Sequence, residues 1–233
     1  MNLAVRIQHN PQRERWTKTL KNILADDSSR EIRVITDTQN DLWNSAKITL
    51  QSYDAGDTHM MVLQDDVMPC KDLISTAERL IEIMPDETIT LFSVQECILE
   101  AMNTNTHWVK KKIWRMAQCY IMPVPVIDDF LGYAERHIKP EIYFDDDRLA
   151  MYHLAKNKLV WATAPSLVEH LGWNATTLTG YKDGFKFRPE KRMARWFIGF
   201  ENSGLSIDWE KTRDKAVFEN DGDWGQFCHL YIP

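Results

Sequence analysis

The sequence Met60-Met61-Val62-Leu63 is a continuous apolar run with polar residues on both sides. A short run of this kind is typical of a strand buried on both faces, as in a parallel sheet covered by two layers of helices. Two earlier β-prone runs, 3–7 and 31–36, are each followed by a helical pattern, at 13–24 and 42–50. This alternation predicts an α/β fold with a mainly parallel, doubly wound sheet.

The rest of the chain continues this pattern less regularly. A helix at 72–84 and a strand at 88–94 complete the first half, and a polar stretch at 103–112 opens the second. The length of 233 residues suits one domain, which we expect to comprise a core, 1–180, and a basic and aromatic extension packed on it, 181–233. Further strands are expected at 118–122 and 159–162, and further helices at 126–136 and 145–155.

Charge and composition limit the classes of partner. The formal net charge of −6 argues against indiscriminate nucleic-acid binding, because neutralising phosphates requires clustered Lys and Arg. No segment approaches the roughly 18 apolar residues of a membrane span, and the cysteines form no C-x-x-C pair, so we expect a cytoplasmic protein with reduced thiols. Two basic clusters are either solvated faces or contacts for an anionic partner: Lys110, Lys111, Lys112 and Arg115, and Lys182, Lys186, Arg188, Lys191, Arg192 and Arg195.

Acidic residues follow two of the predicted strands. Asp65 and Asp66 come almost directly after the apolar run, and Asp37 follows the run at 31–36. Open α/β sheets bind ligands at the carboxyl ends of their strands, so these side chains lie where a ligand is expected. Adjacent carboxylates repel one another, and Mg²⁺ or Mn²⁺ would relieve that repulsion while coordinating substrate phosphates. The alternative is structural, with the acids capping a helix or forming a solvated turn.

Four segments, taken in order, resemble one class of enzyme. The segment 58–70, around Gln64-Asp65-Asp66, is similar to the one that carries the DxD-type motif of GT-A glycosyltransferases, and most similar to the lipopolysaccharide-type family, family 25, with its Glu-Asp-Asp signature. The other three are similar to that family's opening turn with its Arg, its acidic turn before a late helix, and its Pro-Ser-Leu-Val segment. They are His9-Asn10-Pro11-Gln12-Arg13, Asp145-Asp146-Asp147-Arg148-Leu149 and Ala164-Pro165-Ser166-Leu167-Val168-Glu169-His170.

The resemblance implies a GT-A-like domain that binds a UDP- or GDP-sugar, with a donor half at 1–100 and an acceptor half at 101–180. It makes Asp66 the ligand of a metal that bridges the donor diphosphate, with Asp65 beside it. Gln64 would lie near the ribose, although the family has an acidic residue at this point. His170 stands where related sequences often have Gln, and it either completes the metal shell or is an ordinary polar residue. The other expected donor-binding residues are His9, Arg13 and Asp37.

An inverting enzyme of this type also needs a carboxylate that accepts the proton of the acceptor hydroxyl. The resemblance points to the acidic turn, with Asp146 as the central candidate and Asp145 and Asp147 beside it. The same run also suits the first turn of a helix, where carboxylates interact favourably with the helix dipole. The expected acceptor-binding residues are Trp114 and Gln118, with Tyr120 in the same segment, and Trp173, Lys191 and Arg192 further along the chain.

The sequence therefore predicts a metal-dependent glycosyltransferase that transfers a sugar from a nucleotide sugar to an acceptor hydroxyl. The acceptor is either a glycan, which the family resemblance favours, or a hydroxymethyl-type base in DNA, as in bacteriophage-encoded glycosyltransferases, which the basic clusters favour. A virus-encoded enzyme would act in the host cytoplasm. Two other classes remain: a metal-dependent hydrolase that uses Asp65, Asp66 and the acidic turn, and a ligand-binding module without turnover.

Overall fold

The computed structural model describes residues 1–39, 41–114, 116–171 and 193–219. The strands of this part of the chain are β1 Leu3–His9, β2 Ile32–Thr36, β3 His59–Gln64, β4 Val67–Pro69, β5 Ile89–Thr90, β6 Trp108–Lys111, β7 Cys119–Pro123, β8 Val160–Thr163, β9 Val168–His170 and β10 Val217–Glu219. The helices are α1 Glu14–Asp27, α2 Leu42–Leu50, α3 Leu73–Ile83, α4 Cys97–Asn103, α5 Val124–His137, α6 Asp145–Ala155 and the single turn α7 Trp209–Thr212.

Eight of the strands form one sheet with the order β10-β6-β8-β5-β7-β3-β1-β2. The pairs β1–β2, β1–β3, β5–β8 and β6–β10 are parallel. Strand β7 is antiparallel to both of its neighbours, and β6 is antiparallel to β8. The remaining strands, β4 and β9, form a separate antiparallel pair. The prediction of an α/β domain with a mainly parallel sheet is confirmed.

The continuous apolar run in β3 is explained by burial on both faces of the sheet. Met61 and Leu63 belong to the hydrophobic cluster on one face, together with residues of α1 and α3. Met60 and Val62 belong to the cluster on the other face, together with residues of α2, α5 and α6. Because successive side chains of a strand point to opposite faces, both sets must be apolar.

Helix positions follow from periodicity and capping. Helix α2 has the predicted bounds, and its N-cap Asp41 accepts a hydrogen bond from the Asn44 N–H at 3.0 Å, as expected for an Asp at this position. Helix α3 turns Leu73, Ile74, Ala77, Leu80 and Ile81 towards the core, and this apolar stripe explains the helix expected at 72–84.

Two predicted segments differ from the structure. The strand expected at 88–94 is only Ile89–Thr90, because the Thr90 hydroxyl donates to the Phe92 carbonyl at 2.9 Å and the chain leaves the sheet. The polar stretch at 103–112 contains a strand, β6, whose Trp108 and Val109 are buried. The lysines after these residues masked the strand pattern in the sequence.

The topology places the ends of several strands at one edge. Strands β3 and β5 are both antiparallel to β7, so the carboxyl ends of β1, β2, β3, β5 and β8 all lie at the same edge of the sheet. We call this the carboxyl edge, and the opposite one the amino edge. Strand β6 runs the other way, and therefore ends with Lys111 at the amino edge.

Residues 193–219 contact the sheet and its flanking elements. Strand β10 extends the sheet beside β6, and Phe197 bridges to Ser166. Trp209 is buried, and its carbonyl accepts a hydrogen bond from the Trp108 indole at 2.7 Å. The predicted boundary between residues 180 and 181 lies outside the described residues. Within the described ranges, no helix combines the length and the apolar character that crossing a bilayer requires.

Candidate active site

The Asp65 carboxylate is buried at the carboxyl edge and is held on several sides. Its Oδ2 lies 2.9 Å from Nδ1 of His9 and accepts the backbone N–H of Asn10 at 2.8 Å. Its Oδ1 accepts a hydrogen bond from Arg13 at 2.9 Å. His9 and Asn10 lie at the end of β1, so the first turn of the chain encloses this carboxylate. Both oxygens of Asp65 are thus engaged within the protein.

Arg13 joins the two acids. Its Nη1 lies 2.9 Å from Oδ1 of Asp65 and 2.6 Å from Oδ2 of Asp66. One guanidinium charge thereby offsets the repulsion between adjacent carboxylates. Arg13 is positioned by the short helix Pro11–Arg13, whose N-cap Asn10 accepts a hydrogen bond from the Gln12 N–H.

His170 approaches Asp66 from a different part of the chain. The pairing of β4 with β9 sets Val67 opposite His170, and the Leu171 N–H donates to the Asp66 carbonyl at 2.7 Å. Nε2 of His170 then lies 3.3 Å from Oδ2 of Asp66. Phe92 contacts the His170 ring edge-on, with the centroids 6.2 Å apart. The structure thus brings together the two residues that were expected to bind a metal.

The surroundings shift the pKa values of the two acids in opposite directions. Burial raises the pKa of Asp65, and Arg13 only partly offsets this effect. Burial also opposes ionisation of Asp66, but the His170 hydrogen bond and the Arg13 charge outweigh it, so the pKa of Asp66 is lowered. Asp66 is therefore the more readily ionised member of the pair.

The residues fit a divalent cation that keeps open coordination positions. Oδ1 of Asp66 is buried and has no hydrogen-bond partner among the described residues, so this oxygen is available as a ligand. His170 supplies a nitrogen beside it. Across the described ranges, no group of three or more His, Cys, Asp or Glu side chains is arranged to hold a metal. A cation here would complete its shell with water and substrate phosphate oxygens, as Mg²⁺ commonly does.

Glu169 is part of this site but was missed from the sequence. Its Oε1 accepts the N–H of His170 at 2.8 Å and the N–H of Ala194 at 2.7 Å. Burial raises the pKa of Glu169. The carboxylate ties the 193–198 segment to β9 beside the metal-ligand candidate, and only the position of Glu169 next to His170 hinted at this role.

The other expected donor-binding residues lie at the same edge. The Asp37 N–H donates to the His9 carbonyl at 2.8 Å, and Oδ1 of Asp37 accepts the Gln39 N–H at 3.0 Å. Gln64 is half-buried, and its N–H donates to the Gln118 carbonyl at 2.9 Å. Nε2 of His9 faces Glu14 at 3.1 Å. Their roles toward a donor remain predictions.

The acidic turn opens α6, as the helix-dipole interpretation also required. Asp145 and Asp146 are half-buried, and each accepts a hydrogen bond at 3.0 Å from the N–H of the residue that follows it. Burial raises the pKa of Asp145, with a further contribution from Asp146, and burial together with Asp147 raises that of Asp146. The pKa of Asp147 is raised by burial alone.

A short path of contacts connects this turn to Asp65 and Asp66, which we call the acid pair. The backbone of Met116 hydrogen-bonds to Asp146, and the charge of Asp145 contributes to the raised pKa of Tyr120 after burial, which is the main cause. Between these positions, Gln118 pairs with Gln64, the residue before Asp65. Asp145 and Asp146 therefore lie on the carboxyl-edge side of β7.

The expected acceptor residues of this segment are buried. Trp114 contacts Tyr120 edge-on at 4.9 Å between centroids and stacks on His153 at 5.6 Å. Nε1 of Trp114, the Tyr120 hydroxyl and Oε1 of Gln118 have no hydrogen-bond partner within the described part of the chain. Trp114 packs in a hydrophobic cluster, so contact with an acceptor would require the surrounding side chains to open. The other three acceptor candidates, Trp173, Lys191 and Arg192, lie outside the described residues.

The first basic cluster does not form one charged face. Lys111 is fully buried, with Nζ 3.4 Å from the Ser93 hydroxyl. Lys110 lies over the Trp161 ring at 4.6 Å, and Lys112 lies over the Phe218 ring at 5.6 Å. Strand β6 also carries these lysines towards the amino edge, away from the acid pair. In the second cluster, Arg195 is paired with Glu96 at 2.8 Å, and the residues up to Arg192 lie outside the described ranges, as does Arg115.

Comparisons with known proteins give a structural similarity alone. No family model matches the chain. No curated protein sequence matches it either. Among solved structures, the chain is similar to a mutant of Drosophila β-1,4-galactosyltransferase 7 in complex with manganese, UDP-Gal and xylobiose. The TM-score is 0.46 at 6% sequence identity, and the match covers 89% of this chain and 98% of the other.

Proposed function

We propose that the protein is a metal-dependent GT-A-type glycosyltransferase that transfers a sugar from a nucleotide sugar to a hydroxyl of a glycan acceptor. The observation that carries this proposal is the Asp66–His170 pair at the carboxyl edge, with Oδ1 of Asp66 unpartnered among the described residues. The sequence resemblance makes Asp66 the metal ligand, and His170 either completes the metal shell or is an ordinary polar residue. A sheet edge of this kind is where α/β proteins bind nucleotides.

The chemistry requires that negative charge on the departing nucleoside diphosphate be stabilised. A bound Mn²⁺ or Mg²⁺ supplies Lewis-acid stabilisation of that charge. Asp66 and His170 would hold the cation. Arg13 and His170 both contact Oδ2 of Asp66, so together they hold this carboxylate while its Oδ1 has no partner among the described residues. Asp65 anchors Arg13 and the first turn through its contacts to His9 and Asn10.

Asp146 is our candidate for the base in an inverting reaction. A general base works best when its pKa lies near the working pH, and burial raises the pKa of Asp146 in that direction. Its neighbours Asp145 and Asp147 contribute negative charge that favours uptake of a proton. In this role Asp146 would accept the proton of the acceptor hydroxyl as that oxygen attacks the anomeric carbon.

A glycan suits the observations better than a DNA base as the acceptor. Lys111 is buried and Lys110 lies at the amino edge, so the lysine run of β6 offers no basic track beside the acid pair. DNA binding would depend on such a track, because phosphate contacts supply much of the affinity. A DNA acceptor remains an outcome that the acceptor assay must test.

The donor site can be tested by thermal shift with a panel of UDP- and GDP-sugars, with and without Mn²⁺. A ligand at 100 times its dissociation constant stabilises the folded state by about 2.7 kcal/mol. We expect one donor to stabilise the wild type only with Mn²⁺, and this effect to be lost in Asp66→Asn. Asp26→Asn, on the exposed side of α1, is the matched control and should respond like the wild type. No response to any donor, or an equal response in Asp66→Asn, would overturn the proposal.

The reaction class can then be tested with the donor so identified. Labelled sugar should be transferred to one of a panel of oligosaccharides. Transfer to DNA that contains 5-hydroxymethyl bases would instead identify a DNA-modifying enzyme. Release of free sugar at the same rate with and without acceptor would indicate a hydrolase, and metal-dependent binding without turnover would indicate a binding module.

A further inference from the structure

A cavity lies at the amino edge of the sheet, opposite to the carboxyl edge that carries Asp66. Its volume is about 400 Å³, within the roughly 300–1,000 Å³ range of small-molecule sites. Thr88 lies just before β5 and Leu159 just before β8, which places the cavity at the amino ends of these strands. The remaining lining residues are Asp86, Glu87, Lys110, Val126, His153, Lys158 and Trp161.

His153 is the unexplained group in this cavity. Its side chain has no exposed surface, and neither Nδ1 nor Nε2 has a hydrogen-bond partner among the described residues. Leaving a buried polar group unpaired costs about 1–3 kcal/mol. Trp114 stacks on one side of the ring, so the ring is held in place. Because the ring is fully buried, a ligand in the cavity would pair these nitrogens only after the side chains that cover the ring move aside.

The charges around the cavity balance. Lys110 and Lys158 contribute two ammonium groups, and Asp86 and Glu87 contribute two carboxylates. Within the described ranges, neither lysine has a carboxylate within the 4.0 Å that defines a salt bridge. Lys110 lies over the Trp161 ring, and Lys158 lies 3.4 Å from the Tyr152 hydroxyl. Neither lysine charge is neutralised by a carboxylate within the described ranges, and the net charge of zero over the four groups favours an uncharged ligand.

The hydrogen-bonding groups also indicate the class of ligand. Burial, with a smaller effect of Lys158, lowers the pKa of His153 to about 3, so the ring is neutral at physiological pH. A neutral imidazole offers one N–H donor and one acceptor. The ammonium groups donate, the carboxylates accept, and the Thr88 hydroxyl does both. Such a mixture complements hydroxyl groups, each of which donates and accepts.

We propose that this cavity binds an uncharged polyhydroxylated ligand, a mono- or disaccharide, with His153 as its buried hydrogen-bonding contact. The site is separate from the acid pair and does not depend on the proposed glycosyltransferase activity. Occupied, it would pair the His153 nitrogens and bring Lys158 and Glu87 to the same ligand.

The proposal can be tested by saturation-transfer difference NMR with glucose, galactose, xylose, maltose and lactose. The samples contain EDTA and no nucleotide, so that the carboxyl edge is not loaded with metal. We expect at least one sugar to receive saturation from the wild type. His153→Phe should weaken that binding at least ~10-fold, because a buried polar group of the sugar would lose its partner. His153→Gln, which keeps a donor and an acceptor, should retain most of it.

Controls separate this site from the other one. Asp66→Asn should bind the sugar like the wild type. Thr88→Val should weaken binding without changing the fold, and serves if His153→Phe fails to fold. Absence of saturation with every sugar would overturn the proposal. So would binding that survives His153→Phe and Thr88→Val but is lost in Asp66→Asn, or displacement of the sugar by inorganic phosphate, which would identify an anion site.

Discussion

Nε2 of His170 lies 3.3 Å from Oδ2 of Asp66, although 104 positions separate the two residues in the chain. The β4–β9 pairing fixes this approach, since Val67 and His170 are partners in it. A further backbone hydrogen bond, from the Leu171 N–H to the Asp66 carbonyl, also holds the chain around His170 against Asp66. The geometry of the candidate metal site is thus determined by backbone hydrogen bonds.

Replacing His170 should weaken metal binding more than it weakens the fold. In titration calorimetry with Mn²⁺ and a saturating nucleoside diphosphate, we expect His170→Ala to lower the metal affinity by at least ~10-fold, because even the loss of a group that only supports a metal ligand costs roughly 10- to 100-fold. His170→Gln, which retains a polar group, should lose less. His137→Ala, exposed on α5, is the control. Equal Mn²⁺ affinity in His170→Ala and the control would exclude His170 as a ligand.

Removing Arg13 should destabilise the protein. Breaking a buried ion pair by deleting one partner typically costs about 3–5 kcal/mol, because the remaining charges are left uncompensated. Arg13→Met leaves Asp65 and Asp66 adjacent without their shared cation. Urea unfolding should show this loss, and Mn²⁺ should restore more stability to the variant than it adds to the wild type. Arg15→Met, on the exposed face of α1, should change the free energy of unfolding by less than ~1 kcal/mol.

The sequence predicted the first half of the fold because its local signals agree with its tertiary environment. In α2, the capping residue Asp41 coincides with the start of the helical pattern, and both bounds were correct. In β3, the apolar run coincides with burial on both faces. Strand β6 was missed because three lysines follow Trp108 and Val109, and only the structure reveals that Lys111 is buried.

The candidate site was predictable as a set of residues, but not as a set of contacts. Motif order identified Asp66 and His170, yet the Arg13 bridge depends on the turn that closes after β1. Glu169 was missed because its partner Ala194 is 25 positions away and offers only a backbone N–H. The cavity at the amino edge could not be predicted, because it is formed by the ends of several elements with no motif in common.

The acidic turn should make stability fall as pH rises. A carboxyl group whose pKa is raised in the folded state keeps its proton at pH values where the unfolded chain, with an ordinary carboxyl pKa of 3.8, has lost it. The folded state then binds more protons, so the free energy of unfolding decreases from about that pH upward. We expect Asp145→Asn/Asp146→Asn to flatten this decrease in a series of denaturant curves. The double variant is needed because the two groups titrate together.

The quantity to compare is the difference in the free energy of unfolding between the double variant and the wild type at each pH. It should be small near pH 3, should increasingly favour the variant between pH 3.8 and about 7, and should stay constant at higher pH, because both carboxyls of the wild type are then fully ionised. Asp26→Asn on α1 provides the baseline for loss of one exposed carboxylate. A variant that is uniformly less stable at all pH values would show that the turn acts mainly through helix capping.

Gly204 should not tolerate a side chain. A Cβ at this position would lie 2.6 Å from Cγ2 and 2.8 Å from Oγ1 of Thr76, a buried residue of α3. Overpacking of this kind typically costs about 1–3 kcal/mol. Gly204→Ala should therefore lower the free energy of unfolding by that amount. Gly56→Ala is the control, because its Cβ would meet only the Asn2 side chain at 3.9 Å. Gly204→Ala/Thr76→Ser should recover part of the loss, since Cγ2 is the nearest clashing atom.

His153 should make the protein sensitive to acid. Burial lowers the pKa of His153 from its ordinary value of 6.5 to about 3, so between these pH values the unfolded chain binds a proton that the folded chain does not. The free energy of unfolding must therefore decrease as pH falls through this window. In His153→Phe this decrease should be smaller. The stability of the variant relative to that of the wild type should therefore increase as the pH falls below 6.5. The measurement is a pH series of urea unfolding curves. The control is His137→Phe, because His137 is exposed at the end of α5. Parallel curves for the wild type and His153→Phe would mean that the ring is already protonated or solvated in the fold.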